Sequence, residues 1–203
     1  MEIDLDNLSI NKEERNTTAS LIRGVAAGFK NNGYAIGGFE AYVSSDVLVG
    51  AGMSSSAAFE SLVGTILSFL YNDGKISMID IAKIGQFSEN KYFGKPCGLM
   101  DQMACSVGGM IYIDFKDNDK PIVKQAKCDF AKAGLSLCIV DTKGSHADLT
   151  PDYAAIPGEM NQVARALGKE HLREVEEAYF YENMAKLREK VSDRAILRAI
   201  HLY

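Results

Sequence analysis

Two cysteines never stand in a Cys-x-x-Cys spacing in this chain. Its four cysteines (Cys97, Cys105, Cys128, Cys138) are not interleaved with its three histidines (His146, His171, His201). Neither a zinc site nor a disulfide framework is therefore expected, the thiols read as reduced and partly buried, and no histidine is assigned a catalytic role. Long apolar runs are missing too, and Met1-Glu2-Ile3-Asp4 carries neither the basic stretch nor the apolar core of a secretion signal, so a cytoplasmic location is expected. Charge of one sign is also lacking. With 22 basic and 27 acidic residues, a net charge of -5 and no long blocks, neither a nucleic-acid surface nor a membrane partner is expected. Repeats and low-complexity linkers are absent. What is present is 203 residues, 47% of them hydrophobic, enough to build one large domain or one domain and part of another.

The most informative stretch is Gly50-Ala51-Gly52-Met53-Ser54-Ser55-Ser56-Ala57-Ala58, where glycines give way to serines and then to an apolar helix. Small residues let a backbone approach a ligand closely, and serines offer an N-cap and hydroxyls where a helix leaves its first N–H groups unpaired. Such a helix start suits an anion, and with hydroxyls beside it a phosphate and Mg²⁺. It is not a Walker A loop, because no Gly-Lys-Ser/Thr follows at the required spacing. Read alone, such a stretch is more often only a loop and helix cap.

Around it the pattern predicts a helix over 17–31, a partly alternating strand over 38–44, and a deeply packed helix over 54–71 with Phe59, Leu62, Val63, Ile66, Leu67 and Leu70 in its stripe. Ser77 is expected to cap a further helix running to about Tyr92, with Glu89 near its end. A turn on Gly94, Pro96 and Gly98 leads into a short helical piece. There Asp101 lies among Leu99, Met100, Met103 and Ala104, and reads either as an N-cap or as a carboxylate meeting something polar. Strands are expected over 110–115, 121–127 and 135–140, then a loop to Pro151 and helices over 152–167 and from Leu172 to the end, the last in phase at Leu197, Ile200 and Leu202.

Three features occur together: the run from Gly50 to Ala58, Ser-Glu-Asn-Lys-Tyr-Phe-Gly at 88–94, and Gly-Leu-Met-Asp-Gln at 98–102. In order and spacing the chain resembles the GHMP small-molecule kinases, and most closely their galactose-phosphorylating branch. The resemblance implies an α+β, two-layer fold, with residues 1–125 as the later part of an N-terminal, ATP-binding domain and 126–203 as the beginning of a ferredoxin-like C-terminal domain. It implies ATP and Mg²⁺ as cofactors, with Gly50, Ala51, Gly52, Met53, Ser54, Ser55, Ser56 and Ala57 forming the phosphate loop. Ser56 and Glu89 match the metal ligands, and Asp101 matches the catalytic residue facing the anomeric hydroxyl. Gly98 and Tyr153 match positions beside the sugar.

The chain also departs from that branch. No segment of the Arg-Val-Asn-Leu-Ile-Gly-Glu-His-Thr-Asp-Tyr type, which supplies an arginine and sugar contacts, occurs between Met1 and Phe39, and a late glycine-rich motif is missing. The chain is accordingly expected to correspond to a central portion of such an enzyme, with little activity of its own. Alternatives are a GHMP kinase for another small alcohol, or a non-catalytic sensor of galactose and ATP.

Overall fold

The computed structural model describes residues 1–47, 52–140 and 150–203. Gly50 and Ala51 of the expected phosphate loop lie outside the described residues, as do His146 and most of the expected loop over 141–151. The chain divides into two compact units, Met1–His146 and Ala147–Tyr203.

The first unit is built on three helices: α1 (Thr18–Asn31), α2 (Ser55–Tyr71) and α3 (Met78–Ser88). Thr17 and Ser77 start α1 and α3 by accepting hydrogen bonds from the N–H groups of Ser20 and Asp80, which satisfies donors no helical carbonyl can reach. Helix α3 packs on both α1 and α2. Val25, Phe29, Val63, Leu67, Ile81 and Ile84 form the shared core, each apolar side chain of this kind stabilising the fold by roughly 1.5–3 kcal/mol. The α1–α3 seam is tight because Gly24 has no side chain: a Cβ there would lie 2.9 Å from the Ser88 Cα.

Helix α3 does not end cleanly at Ser88. It widens into a π-helical turn, Glu89–Phe93, closed by Gly94 at φ 91, whose N–H donates to the Glu89 carbonyl at 2.9 Å. After a short loop, α4 (Met100–Val107) leads to an antiparallel hairpin, β1 (Ile111–Asp114) and β2 (Ile122–Gln125), with Ile111 opposite Gln125 and Asp114 opposite Ile122. Ile111, Ile113 and Val123 pack on Ala82, Leu99 and Met103, so helices and sheet share a core and the class is α+β.

Before α1, the segment 1–15 lies against the helices. Arg23, nearly buried, forms a two-pronged pair with Glu14 (2.8 Å at each nitrogen) and donates to the Asp4 carbonyl at 3.3 Å and to that of Asn7. The Tyr92 hydroxyl donates to the Leu8 carbonyl at 2.7 Å.

Three expectations for this unit are corrected. Residues 38–44 and 135–140 form no strand, because neither is hydrogen-bonded into a sheet among the described residues, and Tyr42 (96%) and Val140 (81%) are open to solvent. The stripe of α2 is only half-packed: Val63 and Leu67 are buried, but Leu62 and Leu70 face out with Phe69.

The second unit contains α5 (Thr150–Ala166), α6 (Glu177–Glu182), α7 (Met184–Arg188) and α8 (Asp193–Ile200). The single helix expected from Leu172 onward is thus several short ones. Asn183 ends α6, and Ser192 opens α8 by accepting from the Ala195 N–H at 3.2 Å. The buried face of α8 is Ala195, Ile196 and Ala199, not Leu197 and Leu202, which are exposed. Val163, Leu172, Phe180, Leu187 and Ile196 make the core, and Glu159 of α5 pairs with Arg194 and, at 2.5 Å, with Arg198 of α8. Among the described residues no helix is long and apolar enough to cross a membrane.

Candidate active site

The first turn of α2 is where the first unit gathers its polar side chains. Ser54 stands at the N-cap position with φ 55 and ψ 41, a left-handed backbone that costs a serine strain and is characteristic of tight functional turns. Gly52 before it also has a positive φ, 73, where glycine is favoured. In contrast to the N-cap expected of a serine, the Ser54 side chain makes no capping bond. Its hydroxyl donates instead to Asp101 Oδ2 at 2.7 Å, leaving the first N–H groups of the helix without a side-chain partner at that position.

Two residues further, Ser56 Oγ donates to Glu89 Oε1 at 2.9 Å. Glu89 is 2% exposed, and the folded-back turn behind it returns Lys95 to the same oxygen: Lys95 Nζ lies 3.3 Å from Oε1 and Lys95 N–H donates to the Glu89 carbonyl at 3.1 Å. The other carboxylate oxygen, Oε2, accepts from Gln102 Nε2 at 2.6 Å. Gln102 donates as well to Glu60 Oε2 at 3.1 Å. Glu60, Glu89 and Gln102 thus form one buried polar cluster beneath the exposed Ser54–Asp101 pair.

Two of these oxygens, Glu60 Oε1 and Gln102 Oε1, are buried with no hydrogen-bond partner. Burial, reinforced by the nearby charge of Glu89, pushes the Glu60 carboxyl up to about 8 from its ordinary 4.5. The same burial, with Glu89 again adding to it, pushes the Cys97 thiol up to about 12. Cys97 is therefore a neutral, unreactive thiol held in the cluster, its Sγ 3.6 Å from Gln102 Nε2 and its backbone gripped by Asn90 and Gln86.

Of the residues singled out from sequence, Ser54, Ser56, Glu89 and Asp101 are brought together around the start of α2. Asp101 is not an N-cap: it is the second residue of α4, where Leu99 holds the cap position without a side-chain bond. Met53, Ser55 and Ala57 belong to the same helix start, and Gly98 is an exposed glycine just before α4. Tyr153 stands in the first turns of α5, in the second unit, 54% exposed. Glu60 and Lys95 lie outside the sequence motifs, and Gln102 closes Gly-Leu-Met-Asp-Gln with no role assigned to it there. Glu60 had a signal, being the only charged side chain in the seventeen-residue helix α2.

Comparison with known proteins matches residues 20–109 to the GHMP kinases N terminal domain. The chain is 42% identical over 109 residues to a galactokinase of Clostridium beijerinckii, covering 53% of this chain and 27% of that protein. It is 30% identical over 180 residues to a galactokinase of Streptomyces coelicolor (87% of this chain, 46% of the relative). A galactokinase of Canis lupus familiaris is 33% identical over 168 residues (81% and 40%). The chain thus spans less than half the length of these curated relatives.

Proposed function

This chain belongs to the GHMP kinase family, and on that premise we propose that it binds Mg²⁺ and ATP at the start of α2 and serves the phosphorylation of galactose at its anomeric hydroxyl, in the cytoplasm. The product is galactose 1-phosphate. One juxtaposition carries the reading: four side chains from three separate stretches meet through hydrogen bonds of 2.7 Å (Ser54–Asp101) and 2.9 Å (Ser56–Glu89). Phosphoryl transfer passes through a loose transition state, so the protein's task is to align the reactants and offset charge.

The residues divide that task. Backbone N–H groups in the first turn of α2 hold phosphate oxygens, aided by the positive end of the helix dipole. Asp101 accepts, or electrostatically assists the loss of, the proton from the attacking sugar hydroxyl. Magnesium, when bound, supplies neutralisation of the phosphate oxygens, and Ser56 Oγ and Glu89 Oε1 are the atoms that would hold it. The donor set fits: both atoms are hard oxygens, the nearby Cys97 thiol is protonated, and an ammonium already rests on Glu89 Oε1.

By resemblance Gly98 and Tyr153 take the sugar, residues 1–125 form the nucleotide-binding domain and 126–203 the start of a ferredoxin-like one. Calorimetry of the chain with Mg·ATP and with galactose, followed by an ADP-release assay, tests the reading. Mg·ATP should bind, and more weakly in Ser56→Ala and Glu89→Gln. Turnover should fall well below about 1 per second, since no Arg-Val-Asn-type segment occurs before residue 40. Absence of Mg·ATP binding would overturn the site; rapid turnover would overturn only the expectation of low activity.

A further inference from the structure

The side chain that ties the two halves of the site together is Gln102. It is fully buried, and its amide nitrogen spends one N–H on Glu89 Oε2 (2.6 Å) and the other on Glu60 Oε2 (3.1 Å). Glu89 therefore has its oxygens assigned: Oε2 faces inward to Gln102, and Oε1 faces Ser56 and Lys95. Besides the weaker Cys97 thiol, Gln102 supplies the inward donor on Glu89, at 2.6 Å, and losing it loosens the orientation of the carboxylate that faces Ser56. Gln102 also follows Asp101 directly. Successive helical residues point about 100° apart, so the first turn of α4 sends Asp101 out to Ser54 and Gln102 in to Glu89. Space for the amide comes from Gly85 of α3, where a Cβ would lie 3.1 Å from Gln102 Cγ and 3.1 Å from Glu60 Oε2.

We infer that Gln102 is a positioning residue, fixing the orientation of the Glu89 carboxylate so that the Ser56–Glu89 pair presents its oxygens to a divalent cation while Asp101 faces the acceptor. The inference rests on the reading of Ser56 and Glu89 as the metal's ligands. Carboxylates that hold metals are themselves hydrogen-bonded, and losing such a partner weakens metal binding about 10- to 100-fold. A purely structural buried amide would instead affect ligands with and without metal alike.

The test uses the full chain and compares the binding of ATP with Mn²⁺, followed by calorimetry and by the manganese spin-resonance signal, with the binding of ATP in chelator. Gln102→Met removes both donors at similar volume. Gln102→Asn keeps a buried amide whose reach is one methylene too short, and decides the matter if the methionine variant does not fold by circular dichroism. Each should lose about 10- to 100-fold in Mn²⁺-dependent affinity and leave metal-free ATP binding unchanged. Equal losses with and without Mn²⁺, or no loss, would overturn the positioning role. If the parent chain itself shows no Mn²⁺-dependent gain, the ligand reading of Ser56 and Glu89 fails, and this inference with it.

Discussion

Glu60→Gln should flatten the pH dependence of stability. Glu60 is 0% exposed, sits near a second buried carboxyl, and has one oxygen without a partner, so its proton is retained to about pH 8. In the unfolded chain it would leave near 4.5. Between these values the native state binds a proton that the unfolded state has released, so stability falls as pH rises. The contribution is complete below about pH 4.5 and is gone once the pH passes about 8. Each unit is worth at most about 1.4 kcal/mol, so from pH 5 to 8 the loss is roughly 2–4 kcal/mol. Glutamine keeps an acceptor for the Gln102 N–H but has nothing to ionise. Urea unfolding at pH 5, 6, 7 and 8 should show parent and variant of similar stability at pH 5, with the variant ahead by that margin at pH 8. Parallel profiles would refute the reasoning, since they would mean that Glu60 titrates alike in both states.

Gly24→Ala places a methyl 2.9 Å from the Ser88 Cα, where only backbone movement relieves the contact, and should cost about 1–3 kcal/mol, read as a lower thermal midpoint. Gly158→Ala in α5, where a Cβ meets nothing, should cost nothing and serves as its control. Arg23→Gln strips Glu14 of its two-pronged partner and frees the carbonyls of Asp4 and Asn7; a loss of about 1–3 kcal/mol is expected, with earlier thermolysin cleavage inside residues 1–15. Iodoacetamide at pH 7.5 should modify exposed Cys128 and Cys138 well before Cys97, whose thiol holds its proton up to about 12, and peptide mass spectrometry reads the order.

Helices α1 and α3 were legible because each carries local physics: a threonine or serine cap at Thr17 or Ser77, then apolar residues every three or four positions. The strands were less so. Partial alternation at 38–44 and an apolar run at 135–140 say what a strand could bury, but pairing is a property of a neighbour, and only 111–114 and 122–125 find one among the described residues. The C-terminal helix was overextended because Leu197 and Ile200 keep phase across Ser192, whose hydroxyl in fact begins a new helix. At the site, motif order pointed to Ser56, Glu89 and Asp101, whereas the burial that sets Glu60 apart depends on α3 and α4 closing over it, which no local pattern encodes.

The seam at Gly24 has a mechanical consequence. Helix α1 carries none of the candidate ligand contacts, yet at Gly24 it meets the Ser88 backbone of α3 with no side chain of its own between them, and the Ser88 hydroxyl donates to the Leu21 carbonyl at 2.8 Å. The next residue along α3 is Glu89. A shift of α1 is thus delivered through a single peptide unit to Glu89, the carboxylate proposed to hold the metal, so sequence changes on the remote helix should register as altered nucleotide affinity before they register as unfolding.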